Sequence, residues 1–237
     1  MNQKINTILF DYDGTLTVSM SLFEKIGENG LTRFKKTINL DQKRQIMDCL
    51  FLNLNANSSR IGAIRAIKIY IKINQILNLS FIQSIFFSLY CFYQTKRLHL
   101  YVPIKSNTIE ILEKIQSEHF KIGLVTMASI NSLNKKQLIL PYFQVIVTRE
   151  NTRKSKPNPE GLVRALMSLK SNPNNSVYIG DLPIDIQAAK AIKMKSIIIK
   201  SSLVTEKMLM KFKPEKICSS LSEAVNWILN YNEKLNL

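Results

Sequence analysis

Apolar and polar positions follow two rhythms along the chain. Ile5 to Phe10 (INTILF) is a short apolar, β-branched run that ends in acidic and turn residues, which predicts a buried strand. Four similar runs come late: Lys121 to Thr126 (KIGLVT), Phe143 to Thr148 (FQVIVT), Ser176 to Ile179 (SVYI) and Ser196 to Ile199 (SIII). Helical spacing separates them. Ile109, Leu112 and Ile115 recur every three residues; Pro159 opens a segment with Leu162, Ala165 and Leu166 on one face, and Pro183 opens another with Ile186, Ala189 and Ile192. Proline suits a first helical turn because its missing N–H has no partner to lose there. Strand–helix alternation predicts an α/β fold: a Rossmann-like parallel sheet with right-handed crossovers and helices on both faces.

Residues 17–100 break this rhythm and read as helix throughout. Ile61, Ile64, Ile67 and Ile71 share one helical face, and Arg65, Lys68 and Lys72 another. The expected organisation is a core of residues 1–16 and 101–237, with residues 17–100 inserted as an α-helical cap domain. Within that stretch Phe81 to Tyr93 is the most apolar run, but it is 13 residues long and contains Gln83, Ser84 and Ser88. A membrane span needs about 20 apolar residues. The expectation is a buried helix and no membrane partner.

Composition narrows the picture. The 237 residues suffice for one domain with a sizeable insertion and a real core. Cys49, Cys91 and Cys218 are odd in number and far apart, which argues against a disulfide framework or a structural zinc site and for a reducing, cytoplasmic setting. Met1 to Phe10 lead into acidic residues rather than a small-residue cleavage site, so no signal peptide is expected. His99 and His119 have no obvious ligand neighbours in sequence, so acid–base chemistry falls to carboxylates or lysine. The formal net charge is +16. Residues 17–100 hold twelve Lys and Arg against four Asp and Glu, half of that excess. With no run of five basic residues and no aromatic stacking motif, specific nucleic-acid binding is not expected. The basic helical face is either simply solvated or helps to collect an anionic substrate.

The chemistry concentrates at strand ends. The first strand runs into Asp11-Tyr12-Asp13-Gly14-Thr15-Leu16, and in extended chain residues i and i+2 project to one side. Two carboxylates then meet at the carboxyl end of a parallel strand, where open α/β sheets bind ligands; a turn with capping aspartates is the alternative. Thr126 ends the KIGLVT run and can donate to a phosphate oxygen. Lys156 lies in Lys156-Pro157-Asn158-Pro159, a loop stiffened by two prolines. Gly180-Asp181-Leu182-Pro183-Ile184-Asp185 follows the SVYI run, and its aspartates could cap the next helix. Two of the seven glycines sit in these acidic turns. Two like unit charges about 4 Å apart cost on the order of 4 kcal/mol at an effective dielectric of 20. Several carboxylates in one cleft therefore require cations: Lys156, and a divalent metal with oxygen ligands, for which magnesium fits and zinc does not.

The motifs DYDGTL, LVT, KPNPEG and GDLPID, in this order, resemble those of the haloacid dehalogenase (HAD) superfamily, most of all its phosphoglycolate-phosphatase-like branch with a helical cap. The resemblance covers nearly the whole chain and is weak in residues 17–100. It implies a magnesium-dependent phosphatase acting on a small phosphorylated metabolite, as a monomer or homodimer. Asp11 would attack phosphorus and form an aspartyl phosphate; Asp13 would protonate the leaving oxygen and then deprotonate water. Thr126, Met127 and Lys156 would hold the phosphoryl oxygens. Asp11, the Asp13 carbonyl and Asp181 would bind magnesium, with Asp185 just behind. Asp13 separates this pattern from the dehalogenases, which typically lack it. Val18 and Met127 depart from the family pattern at positions where Asp and Asn are common in relatives, which leaves the substrate open. A phosphosugar mutase and a non-enzymatic scaffold are the alternatives.

Overall fold

A computed structural model describes residues 3–53, 59–98, 102–134, 137–201 and 204–235. The chain forms, in order, β1 (Thr7–Phe10), α1 (Ser19–Thr32), α2 (Leu40–Asn53), α3 (Ser59–Ile76), α4 (Phe81–Leu98), α5 (Thr108–Ser117), β2 (Lys121–Val125), α6 (Ile130–Asn134), β3 (Val145–Val147), α7 (Glu160–Ser168), β4 (Ser176–Gly180), α8 (Pro183–Ala191), β5 (Lys195–Ile199), α9 (Glu206–Met210), β6 (Lys216–Cys218) and α10 (Leu221–Lys234). The six strands make one sheet in the order β3-β2-β1-β4-β5-β6, and each neighbouring pair is parallel. The chain builds outward from β1 through β2 to β3, then returns to the other side of β1 at β4. The switch point of this α/β fold therefore lies at the carboxyl ends of β1 and β4, the place where such sheets form a crevice.

Alternation along each strand assigns its side chains to opposite faces. Ile8 and Phe10 of β1, Val177 and Ile179 of β4 and Ile197 and Ile199 of β5 join one buried cluster with Leu112, Ile115, Val225 and Ile228 of α5 and α10. Leu9 and Tyr178 point the other way, into a cluster with Leu162, Ala165 and Leu166 of α7 and Ala188 and Ala189 of α8. Both faces are thus covered, as a parallel sheet requires. All five anticipated strands are present, with β1, β2 and β3 shorter than their apolar runs. The sixth, β6, and the helix α10 that packs on it were not anticipated.

Helices α1 to α4 fill the stretch between β1 and α5. The chain enters and leaves this stretch along paired segments: Thr17 bridges Ile104 in antiparallel fashion, Val18 N–H donates to the Pro103 carbonyl (3.1 Å) and Lys105 N–H to the Leu16 carbonyl (2.8 Å). Lys43 ties α2 to α1 through Glu24 (2.6 Å) and Glu28 (2.5 Å). Met47 of α2 reaches the core beside Ile186 of α8 and Ile198 of β5. Helix α4 packs on α1, and α3 on α2.

The structure corrects one expectation here. Phe81 to Tyr93 is helical, but its apolar face is not buried: Phe81, Ile82, Ile85, Phe86, Leu89, Phe92 and Tyr93 are all exposed, Phe81 by 79% and Phe92 by 68%. On the inner side Ser84 is buried, and Phe87, Ser88 and Tyr90 are half-buried. The approach is close: a β-carbon on Gly30 of α1 would lie 2.9 Å from Phe87 and 3.0 Å from Tyr90. Ile67 and Ile71 of α3 are likewise exposed. The side chains of Ile61, Ile64 and Arg65 lie outside the described residues, as does His99.

Candidate active site

Three strand ends and one loop build the site. Strand β1 stops at Phe10 and the turn begins at Asp13, so Asp11 lies just past the strand, and strict alternation does not by itself place Asp13 beside it. Asp11 stays registered on the sheet because its N–H donates to the Ile179 carbonyl (2.8 Å). Gly14 then takes a left-handed conformation (φ 81°), which glycine adopts without the steric cost of a side chain. Its N–H donates to the buried Thr17 hydroxyl (3.3 Å), and its carbonyl accepts from the Lys105 ammonium.

Lys156 is the hub. Its Nζ donates to Asp11 Oδ1 (2.7 Å), Asp185 Oδ1 (2.6 Å) and the Tyr178 hydroxyl (3.0 Å), and its side chain is only 8% exposed. The Tyr178 hydroxyl donates in turn to the Val125 carbonyl at the end of β2 (3.0 Å), linking the lysine to the sheet. Asp185 uses its other oxygen, Oδ2, to accept from the N–H groups of Asp181 (3.2 Å) and Leu182 (3.0 Å). It therefore both closes the first turn of α8 and anchors Lys156. Gly180 permits this, since a β-carbon there would stand 2.5 Å from Asp185.

Asp181 is wholly buried, and neither of its carboxylate oxygens has a hydrogen-bond partner among the described residues. Such a group is costly unless something absent from the protein itself satisfies it. One oxygen each of Asp11, Asp181 and Asp185 can be chosen so that all lie within 4.8 Å of one another. Burial pushes the Asp11 carboxyl up to about 7; Lys156 opposes that rise, while Asp185 and Asp13 add to it. Burial, reinforced by Asp11 and Asp185, raises Asp181 well above the usual carboxylate range. For Lys156 burial acts downward, but the charges of Asp11 and Asp185 outweigh it and hold the ammonium well above its ordinary value. An all-oxygen cluster whose carboxylates resist ionisation suits a hard divalent cation. The residues present fit such an ion.

Thr126 is buried at the end of β2. Its N–H donates to the Val147 carbonyl (2.9 Å), and its hydroxyl oxygen accepts from the Ala128 N–H (2.9 Å), leaving the hydroxyl proton to donate. Thr126, Met127 and Lys156 line one small cavity. Asp13 is half-buried, and its charge bears on both Asp11 and Tyr12. The sequence reading missed two neighbours. Tyr178, a tyrosine inside an apolar strand, carried a usable signal, because a buried phenol needs a partner. Lys105 carried none; only the fold brings it to Gly14.

The pattern for the haloacid dehalogenase-like hydrolase family matches residues 8–199. The chain belongs to this family. It is accordingly a hydrolase, and several relatives are similar over nearly its full length. A pyrophosphatase PpaX from Bacillus mycoides is 24% identical over 225 residues, 93% of this chain and 95% of that protein. A phosphoglycolate phosphatase from Nitrosococcus oceani is 24% identical over 232 residues, 92% and 94% of the two chains. Among solved structures, the β-phosphoglucomutase of Clostridium difficile superposes with a TM-score of 0.61 at 20% identity, covering 98% of this chain and 100% of that one. At that identity the likeness speaks for the HAD-like fold alone.

Proposed function

We propose that this HAD-like hydrolase is a magnesium-dependent phosphatase that works through a phosphoryl group carried on Asp11. The observation that carries this reading is the pairing of Asp11, held by Lys156 at 2.7 Å, with the partnerless buried carboxylate of Asp181 at the switch point of the sheet. Asp11, Asp181 and the Asp13 carbonyl would hold magnesium, which when bound supplies the positive charge that offsets the carboxylates and the phosphoryl oxygens.

The residues divide the work. Lys156 and the Thr126 hydroxyl bind phosphoryl oxygens, with Met127 lining the same cavity. Tyr178 and Asp185 fix the lysine, so little reorganisation is needed as substrate enters. An Asp11 carboxylate oxygen forms a bond to phosphorus while the bond to the leaving oxygen breaks, and Asp13 gives that oxygen its proton. Water then attacks the same phosphorus, Asp13 takes its proton, and the Asp11–phosphorus bond breaks to release phosphate. Residues 17–100 act as a cap over this cleft, hinged at the paired segments around Thr17 and Ile104.

The small cavity beside Thr126 and Lys156 and the names of the relatives support a small phosphorylated substrate, either a phosphomonoester such as phosphoglycolate or the phosphoanhydride pyrophosphate. Phosphate release should be assayed on a panel of sugar phosphates, phosphoglycolate and pyrophosphate, with and without magnesium. Magnesium-dependent release from at least one is expected. Interconversion of sugar phosphates without net release would make it a mutase, and inertness toward the whole panel and a generic aryl phosphate would make it a scaffold.

A further inference from the structure

Helices α3 and α4 leave large apolar side chains and basic side chains exposed together. Seven large apolar side chains of α4, from Phe81 to Tyr93, are exposed along one side of the helix. At 1.5 Å per residue this stripe is about 18 Å long. Helix α4 starts on a reciprocal cap, in which Ser80 N–H donates to Gln83 Oε1 (3.1 Å) and Gln83 N–H to Ser80 Oγ (3.3 Å), so the stripe is held on a regular helix. Ile67, Tyr70 and Ile71 of α3 are exposed as well, and Ser84 and Ser88 of α4 are near enough to the Tyr70 hydroxyl to lower its pKa. Soluble proteins rarely leave contiguous apolar area of this size uncovered without a use for it.

Charge selects the occupant. Between Asp48 and Glu110 the chain contains no acidic residue, yet it carries Arg60, Arg65, Lys68, Lys72, Lys96, Arg97 and Lys105. Lys68 and Lys72 are exposed on α3, and the exposed Arg97 of α4 lies over the Tyr93 ring, 5.9 Å from its centre. A second copy of this chain would bring two such unrelieved positive faces together. An anionic bilayer surface accepts both features at once: apolar side chains enter the boundary between headgroups and acyl chains, and Lys and Arg stay among the phosphates. Among the described residues no single helix is long and apolar enough to cross a membrane; residues Ile67–Ile76 and Phe81–Thr95 pass a hydropathy test only together, across a bend of 108°.

We propose that the α3–α4 hairpin docks this protein onto membranes containing anionic phospholipid, contrary to the expectation from sequence of no membrane partner. The assay is co-sedimentation of the full chain with vesicles of phosphatidylcholine, alone or mixed with phosphatidylglycerol. A protein of net charge +16 will show some attraction to any anionic vesicle, so the decisive variant keeps its charge. Replacing Phe86, Leu89 and Phe92 together by Gln should lower partition onto mixed vesicles on the order of tenfold or more. Replacing Lys68, Lys72 and Arg97 by Gln should weaken binding at low salt. Both variants should keep the wild-type melting temperature, because the altered side chains are exposed. A Phe86→Trp variant should shift its emission to the blue on mixed vesicles and not on phosphatidylcholine alone. Three results would overturn the proposal: no binding to mixed vesicles, equal binding by wild type and the Phe86/Leu89/Phe92 variant, or lipid-free self-association that this variant abolishes.

Discussion

Asp185 shows how closely the site is fitted at the level of single residues. One oxygen holds Lys156 and the other closes the turn that carries Asp181, while Gly180 leaves no room for a β-carbon in between. Gly180→Ala should therefore push Asp185 aside and carry Lys156 and the Asp181 turn with it. Misplacement of about 1 Å costs on the order of 10²-fold in rate, so kcat should fall by about that factor with the fold retained by circular dichroism. Wild-type turnover would show that the turn tolerates the shift. The residues that meet here, Asp11, Lys156, Asp181 and Asp185, were legible from the sequence because each sits in a short motif at a strand end or in a proline-stiffened loop. Tyr178 and Lys105 were not read. Their contacts, to Lys156 and to the Gly14 carbonyl, depend on pairings across 22 and 91 residues of sequence.

At the scale of elements, periodicity found the strands and the helices between them, because burial on both faces of the sheet leaves continuous apolar runs. It found the helicity of α4 but misjudged its surroundings. A helical apolar stripe says which residues share a face; it does not say whether anything covers that face, and here the inner side holds Ser84, Phe87 and Tyr90. Strand β6 offers only Ile217 and Cys218 between Lys216 and Ser219, so it leaves no apolar run, whereas the equally short β3 lies inside FQVIVT. Helix α10 left a readable start that was passed over: Ser220 accepts from Glu223 N–H (3.2 Å), and Glu223 accepts from Ser219 N–H (2.7 Å). This N-terminal cap predicts that Ser220→Ala destabilises the protein by about 1 kcal/mol in urea unfolding, with kcat unchanged because Ser220 follows the edge strand β6, three strands away from β1. A change below about 0.3 kcal/mol would mean that the other contacts of α10 fix its start without the cap.

The whole molecule carries the cost of its carboxylate cluster. Asp11 and Asp181 have folded-state pKa values raised by burial, Asp11 to about 7, above the roughly 3.9 of an unfolded aspartate. In that window the folded state binds more protons than the unfolded state, so metal-free protein loses stability as pH rises from about 4 to about 7. Bound magnesium favours the ionised carboxylates and should reverse the penalty. The rise in melting temperature on adding magnesium should therefore grow between pH 5 and pH 7, a range set by these shifts. Asp181→Asn should flatten that growth. A magnesium effect that is constant across this range, or equal in the Asp181→Asn protein, would place the ion elsewhere.

The phosphoryl group on Asp11 is the most direct point of test. Wild-type protein should be mixed with a turned-over phosphomonoester and magnesium, quenched in acid during the first turnover, digested and sequenced by mass spectrometry. The account predicts one peptide heavier by the mass of a phosphoryl group, with the modification on Asp11, and its loss in Asp11→Asn together with turnover. Turnover in the Asp11→Asn protein at a tenth or more of the wild-type kcat, a barrier change of only about 1.4 kcal/mol, or a label trapped on a different residue, would contradict it.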